Sequence, residues 1–186
     1  MRIGSWLLGL ILLGCVAAQH TANHGDDWSA FDHRTFVVSR VIDGDTIHIK
    51  SNEGSSETIV RLIGIDAPEL HDPGTSQPAY WSDRARAYLD ARASGKPVTL
   101  RLEPIQTRDR YGRLLAYVYL SDADCLNADL IHDGQAYADR RFRHSYRPQY
   151  EQAESEARRK QRGLWKDVTE DQMPAWRRAW LHARDG

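Results

Sequence analysis

The sequence predicts an α+β domain: a small closed β-barrel of five strands covered by three helices, with a short extra helix at its C-terminus. Three observations carry this. Five short runs of strand character lie between Thr35 and Leu120, each bounded by turn residues. One segment of helical periodicity interrupts them after the third run. Further helical segments follow the fifth and continue to the end of the chain.

A chain of 186 residues holds one ordinary domain with room for a real core. The first residues stand apart from it. Met1-Arg2 is positively charged, and residues 3–13 are almost wholly apolar but too few to span a bilayer as a helix. Residues 1–18 therefore read as a signal peptide. Leu12-Leu13-Gly14-Cys15 is similar to the lipobox of bacterial lipoproteins, in which the cysteine becomes the lipidated first residue. The alternative is ordinary cleavage after Val16-Ala17-Ala18. Either route predicts export, as a lipoprotein anchored to a membrane through Cys15 or as a periplasmic or secreted protein. Residues 19–34 are polar, contain Gly25-Asp26-Asp27 and show no periodicity, so they read as a tether. With Cys15 lipidated or removed, Cys125 has no partner, and the fold must stand without a disulfide.

The elements follow in order. Residues 35–42 are β-branched and alternating, and the alternation resumes over 45–50 after Asp43-Gly44, a hairpin signal between two such runs. Residues 51–56 form a second turn and 57–65 a third strand. Over 77–93 apolar residues recur at helical spacing (Tyr80, Trp81, Ala85, Tyr88, Leu89), and Gly95 supplies a stop. Residues 97–103 and 113–120 complete the five strands. Asn127 suits the N-cap of a short helix ending at Gly134. Residues 148–161 form a charged amphipathic helix stopped by Gly163. A last helix over 174–184 is docked onto the barrel by Trp176 and Trp180, four residues apart. The domain so delimited, 35–168 with a helical extension over 169–186, fits the oligonucleotide/oligosaccharide-binding barrel (OB-fold).

The formal net charge is −1, so a polyanion would be held by local patches rather than by a global field. Arg140-Arg141-Phe142-Arg143-His144, with Arg147, is basic with aromatic interleaving, as a groove that tracks a nucleic-acid strand would be. The same run also suits a solvated loop.

Three segments carry chemistry only as a set: Val41-Ile42-Asp43-Gly44-Asp45-Thr46, Arg61-Leu62-Ile63-Gly64-Ile65-Asp66-Ala67-Pro68-Glu69, and Asp109-Arg110-Tyr111-Gly112-Arg113-Leu114. Each alone passes for a turn. Arg61, however, opens a strand that is otherwise apolar to Ile65, where a charge needs a partner or a purpose. Asp45 and Asp66 could share one hard cation, which prefers oxygen donors. Arg61 and Arg113 are permanently charged forks that match phosphate oxygens. An arginine cannot be a base, whereas Glu69 can take the proton of an attacking water. Together these are the parts of metal-assisted phosphodiester hydrolysis. Strict alternation would put Arg61 on the sheet face opposite Asp66, so either Gly64 makes a bulge or Asp66 has left the strand for the Pro68 loop.

In this order and on this framework, the three segments resemble the staphylococcal nuclease family over about residues 40–165, including Gly163-Leu164-Trp165 after the third helix. The resemblance implies a five-stranded barrel with three helices and a Ca2+ ion held by Asp45, Asp66 and the backbone carbonyl of Ala67. It implies that Arg61, Glu69 and Arg113 are catalytic, with Asp43 behind them. The implied reaction is hydrolysis of DNA and RNA leaving 3′-phosphates, by a monomer. Ala67 stands where the family usually has Thr, which keeps a backbone ligand and loses a side-chain hydrogen bond. Two nucleotide-contacting tyrosines of the family fall near Arg140 and Phe142, which join Tyr111 as candidate substrate-binding residues. The rival reading is a nucleic-acid-binding module of the same fold that has lost its chemistry. Against it, every catalytic side chain is present.

Overall fold

The computed structural model describes residues 24–51, 56–70 and 77–185. The signal-peptide and lipobox readings, Cys15 included, lie outside the described residues. So does the start of the predicted tether.

The rest of that tether is not one. His24–Phe31 is a helix, α1. Its Asp27 is buried and accepts from Thr107 Oγ1 (2.8 Å) and from Arg108 Nε and Nη2 (2.9 and 2.7 Å). Trp28 and Phe31 pack on the main core, and Asp32 Oδ1 accepts from the Leu102 amide at 2.9 Å. Eight residues with two inward aromatics are too few for a periodic signal. Partners about eighty positions away hold this helix, and the folded unit begins before residue 35.

The chain then runs through β1 (Thr35–Val41), β2 (Thr46–Lys50), β3 (Glu57–Leu62), β4 (Ile65–Asp66) and α2 (Ser82–Ala93). Next come β5 (Pro97–Leu102), β6 (Leu114–Ser121), β7 (Asp124–Cys125), α3 (Leu126–His132), β8 (Tyr137–Ala138), α4 (Arg147–Arg159) and α5 (Ala175–Asp185). Strands β1, β2 and β3 form an antiparallel meander; β5 pairs with β1, and β6 with β5. Parallel pairing of β3 with β6, from Val60↔Leu114 to Leu62↔Ala116, closes the five strands into a barrel. The alternation predicted along the strands fills its interior: Val38, Ile47, Ile49, Val60, Leu62, Val98, Leu100, Leu114, Ala116 and Val118 are all buried.

Helix α2 buries Ala85, Leu89 and Ala93, one stripe at helical spacing. It begins at Ser82, later than the pattern predicts. Trp81 has left-handed backbone (φ 74°), and its indole donates to Gln135 Oε1 at 2.8 Å, so a tertiary contact sets the start. Asn127 is not an N-cap; Cys125 holds that position. The Asn127 amide is fully buried, accepts from the Val118 amide (2.9 Å) and donates to the Ile63 and Ala116 carbonyls (2.9 and 3.2 Å). It thereby straps α3 to β6 and to the turn that follows β3.

Helix α5 does not dock on the barrel itself. It covers a smaller core of Tyr137, Ala157, Leu164 and Trp165, between β8 and α4, with Trp176 packed at its edge. Arg177 is wholly buried there and donates to both Glu154 oxygens (2.7 and 3.0 Å).

Candidate active site

The loop between β1 and β2 seats the first acid. Ile42 N donates to Thr46 O (2.9 Å), and the Asp45 amide donates to Asp43 Oδ1 (3.0 Å), so Asp43 braces the turn from within. Gly44 is needed for space rather than for backbone freedom. A Cβ there would lie 2.6 Å from the Ala67 Cβ and 2.8 Å from that of Ala85. This close approach lets the Ala67 amide donate to Asp45 Oδ2 at 2.8 Å, across 22 residues. Thr46 Oγ1 donates to the other oxygen, Oδ1, at 3.1 Å.

The turn after β3 seats the second acid and resolves the facing problem. Gly64 is left-handed (φ 80°), and a Cβ on it would meet the His144 ring at 2.5 Å. The chain leaves the barrel there and enters β4, which pairs with β8 in a separate two-stranded sheet (Ile65↔Ala138, Asp66↔Tyr137). Alternation no longer applies across the turn, and Asp66 comes round to the side of Arg61. Arg61 Nη2 sits 3.0 Å from Asp45 Oδ2 and 3.4 Å from Asp66 Oδ1, while Nη1 donates to Leu62 O at 2.7 Å.

Carboxylates outnumber cations at this point. Burial, and then the charges of Asp43 and Asp66, raise the Asp45 pKa well above the usual carboxylate range despite Arg61. For Arg61, burial works against the charge, but Asp45, Asp66 and Asp139 outweigh it and hold the guanidinium ionised. The Glu69 side chain is exposed. Desolvation of its carboxyl, then Asp43 and Asp66, raise its pKa, while Arg61 and Arg113 both pull it down. The charges of Asp43, Asp66, Arg61 and Arg113 all act on Glu69.

Arg113 lies one residue before β6. Asp109 fixes it: Oδ1 accepts from its amide (3.0 Å) and Oδ2 from its Nε (2.7 Å). The ring of Tyr111, an exposed side chain, lies 5.6 Å from its guanidinium.

The donor set is oxygen only, with an excess of negative charge that a divalent cation would relieve. Among the described residues no group of three His, Cys, Asp or Glu side chains is arranged to hold a metal. A cation between Asp45 and Asp66 would complete its shell from backbone and water oxygens, which Ca2+ accepts readily. The residues fit a hard cation and do not suit a soft one.

Of the residues singled out in the sequence, Arg61, Asp45, Asp66 and Ala67 meet directly; Glu69 feels the charges of Arg61 and Asp66, and that of Arg113 as well. Phe142 is exposed, with the Arg141 guanidinium 5.7 Å from its ring. Arg140 lies mostly inside the fold. Buried Glu154 needs cations, so Arg140 turns inward to it (3.0 Å) and lies 3.8 Å from the Trp180 ring centroid. Two side chains that touch the site were not foreseen there. Arg141 Nη2 donates to Asp66 Oδ1 at 2.6 Å, and Trp176 Nε1 donates to Asp66 Oδ2 at 2.8 Å. The basic run marked the neighbourhood of Arg141 but not which arginine turns inward, and no local signal connects Trp176 to a residue 110 positions away.

The chain is similar in sequence to known proteins. The family model for staphylococcal nuclease homologues matches residues 59–167. The chain is similar to a thermonuclease of Staphylococcus intermedius, 39% identical over 134 residues that cover 70% of this chain and 76% of that protein. It is 36% identical over 157 residues to a micrococcal nuclease of Shigella flexneri, covering 80% and 82%. It is 35% identical over 148 residues to an uncharacterized endonuclease of Escherichia coli, covering 79% and 84%.

Proposed function

The chain belongs to the staphylococcal nuclease family, and from that premise we propose that it is an exported, Ca2+-dependent nuclease that hydrolyses phosphodiester bonds of DNA and RNA and leaves 3′-phosphates. The observation that carries this reading is the Arg61 guanidinium lying between the carboxylates of Asp45 and Asp66, 3.0 and 3.4 Å away. A pair of acids suited to a cation and a guanidinium fork suited to phosphate are in direct contact, with a carboxyl that feels Arg61 and Asp66, and a module that only binds nucleic acid has no use for the set.

Asp45, Asp66 and the Ala67 carbonyl would hold the ion. When bound, Ca2+ supplies a Lewis acid for a phosphoryl oxygen and a position for the attacking water. Glu69 accepts a proton from that water, a role its raised pKa favours by bringing it nearer to neutral pH. Arg61 and Arg113 meet the phosphoryl oxygens, where negative charge grows as the five-coordinate transition state forms. Both are held before substrate arrives, Arg61 by the Leu62 carbonyl and Arg113 by Asp109, so little reorganisation is left to the reaction. Tyr111 and Phe142, exposed beside the arginines, offer faces on which bases stack. Export rests on the leader over residues 1–18, with Cys15 as the site of a lipid anchor; Cys15→Ala should then move the protein from the membrane fraction to the soluble one.

The test is cleavage of end-labelled DNA and RNA with identification of the product ends. Wild type should yield 3′-phosphates in Ca2+. Arg61→Ala, Glu69→Gln and Arg113→Ala should each lose on the order of 10²–10³ in rate, with unfolding temperatures near wild type. Variants that keep most of their turnover would show the roles to be wrongly assigned.

A further inference from the structure

Helix α5 lies beyond the region matched by the family model, yet it reaches the site. The contact is one hydrogen bond, from Trp176 Nε1 to Asp66 Oδ2, and the rest of the helix is built to hold it. Arg177, the next residue, is fully buried and grips both oxygens of Glu154. Glu154 Oε1 also accepts from the amide of Ala138 at 3.0 Å, and Ala138 lies in β8, the strand paired with β4 and hence with Asp66. Helix α5 and the acid are therefore fixed to the same short sheet. Arg141 completes the frame. It donates to Asp66 Oδ1 and Asp139 Oδ2 (2.6 and 2.8 Å), and its guanidinium lies 5.0 Å from the Trp176 ring centroid.

The two oxygens of Asp66 thus differ. Oδ1 faces Asp45, since both it and Asp45 Oδ2 lie within 3.4 Å of the same Arg61 nitrogen. Oδ2 is taken by the indole. A carboxylate has about four lone-pair directions; Arg141 takes one on Oδ1 and the indole takes one on Oδ2, so the group is stopped from rotating while Oδ1 keeps a direction toward Asp45, where Arg61 now lies and where a cation would sit. We propose that Trp176 is a positioning residue of this nuclease: its indole N–H holds Asp66 so that Oδ1 faces the cation site, making α5 part of the calcium site. This rests on the calcium reading above and goes beyond it, by giving a C-terminal side chain a role in metal affinity. Donors behind a metal ligand commonly change affinity 10–100-fold when removed.

The test compares Trp176→Phe with Trp180→Phe. The first keeps a ring to pack against Arg141 and deletes the N–H; the second alters the same helix one turn on, where Trp180 lies over Arg140. Ca2+ is titrated calorimetrically into wild type and both variants in the absence of nucleic acid, well below their unfolding temperatures in chelator. Trp176→Phe should bind Ca2+ about tenfold more weakly or worse, and Trp180→Phe should stay within about twofold of wild type. Equal affinity in all three proteins would overturn the proposal, and so would equal weakening in both variants, which would mark α5 as packing alone. A wild type that binds no Ca2+ fails the calcium reading itself, and that failure is visible before any variant is examined.

Discussion

The two end helices, α1 and α5, both lie outside the region matched by the family model, and each braces a different half of the site. Helix α1 acts at one remove. Its Asp27 holds Arg108, whose Nη1 donates to the Gly112 carbonyl at 2.8 Å, next to Arg113. Helix α5 acts directly, through Trp176 on Asp66. One end supports Arg113, proposed above to bind phosphate, and the other supports Asp66, proposed above to hold calcium. Two halves held by separate braces should fail separately.

The largest effect is expected at the C-terminal brace. Arg177→Ala leaves buried Glu154 with less of its counter-charge, and breaking such a pair costs about 3–5 kcal/mol of stability. Chemical denaturation would read this as a fall in midpoint. On protein that remains folded, calcium affinity should drop with it, because Trp176 loses its anchor. Asp27→Ala should cost less, about 2–3 kcal/mol, since Arg108 is partly exposed and can recover water. Its signature is different: turnover should fall on the order of tenfold as the Arg113 loop loosens, with calcium affinity close to wild type. If Asp27→Ala weakens calcium binding as much as Arg177→Ala does, the two halves are not independent and the comparison collapses. The smallest effect should come from Phe142→Ala. Losing one stacking face from an exposed position should raise KM for single-stranded DNA while leaving kcat, by about 1–3 kcal/mol of binding at most. A fall in kcat instead would place Phe142 in the chemistry.

The same contrast explains what the sequence could disclose. Asp45, Arg61, Asp66, Glu69 and Arg113 sit in short segments whose residue types already suggest phosphate chemistry, and the strands around them alternate plainly, so the barrel was legible and these residues stood out as candidates. Gly44 was legible as a turn residue, although the reason for it is contact with Ala67 and Ala85. The facing of Arg61 and Asp66 was not legible, because period-two reasoning assumes one continuous strand and Gly64 ends it. Asn127 read as a cap because capping is the local use of asparagine, and its buried strap to Ile63 and Ala116 is a tertiary one. Helix α1 and the reach of Trp176 were hidden for a shared reason. Each is held by partners far along the chain, Arg108 for Asp27 and Asp66 for Trp176, and propensity or spacing carries no trace of them.

At the centre of the account is a single claim, that the acidic pair Asp45 and Asp66 works by holding calcium beside Arg61 and Glu69. The most direct measurement is the rate of DNA cleavage by wild type in Ca2+, in Mg2+ and in chelator, with Asp45→Ala alongside. Wild type should cleave in Ca2+, little in Mg2+ because that ion demands tight octahedral geometry and keeps its waters, and not at all in chelator, and Asp45→Ala should need much more calcium. Undiminished cleavage in chelator, or an Asp45→Ala variant with the calcium dependence of wild type, would contradict it.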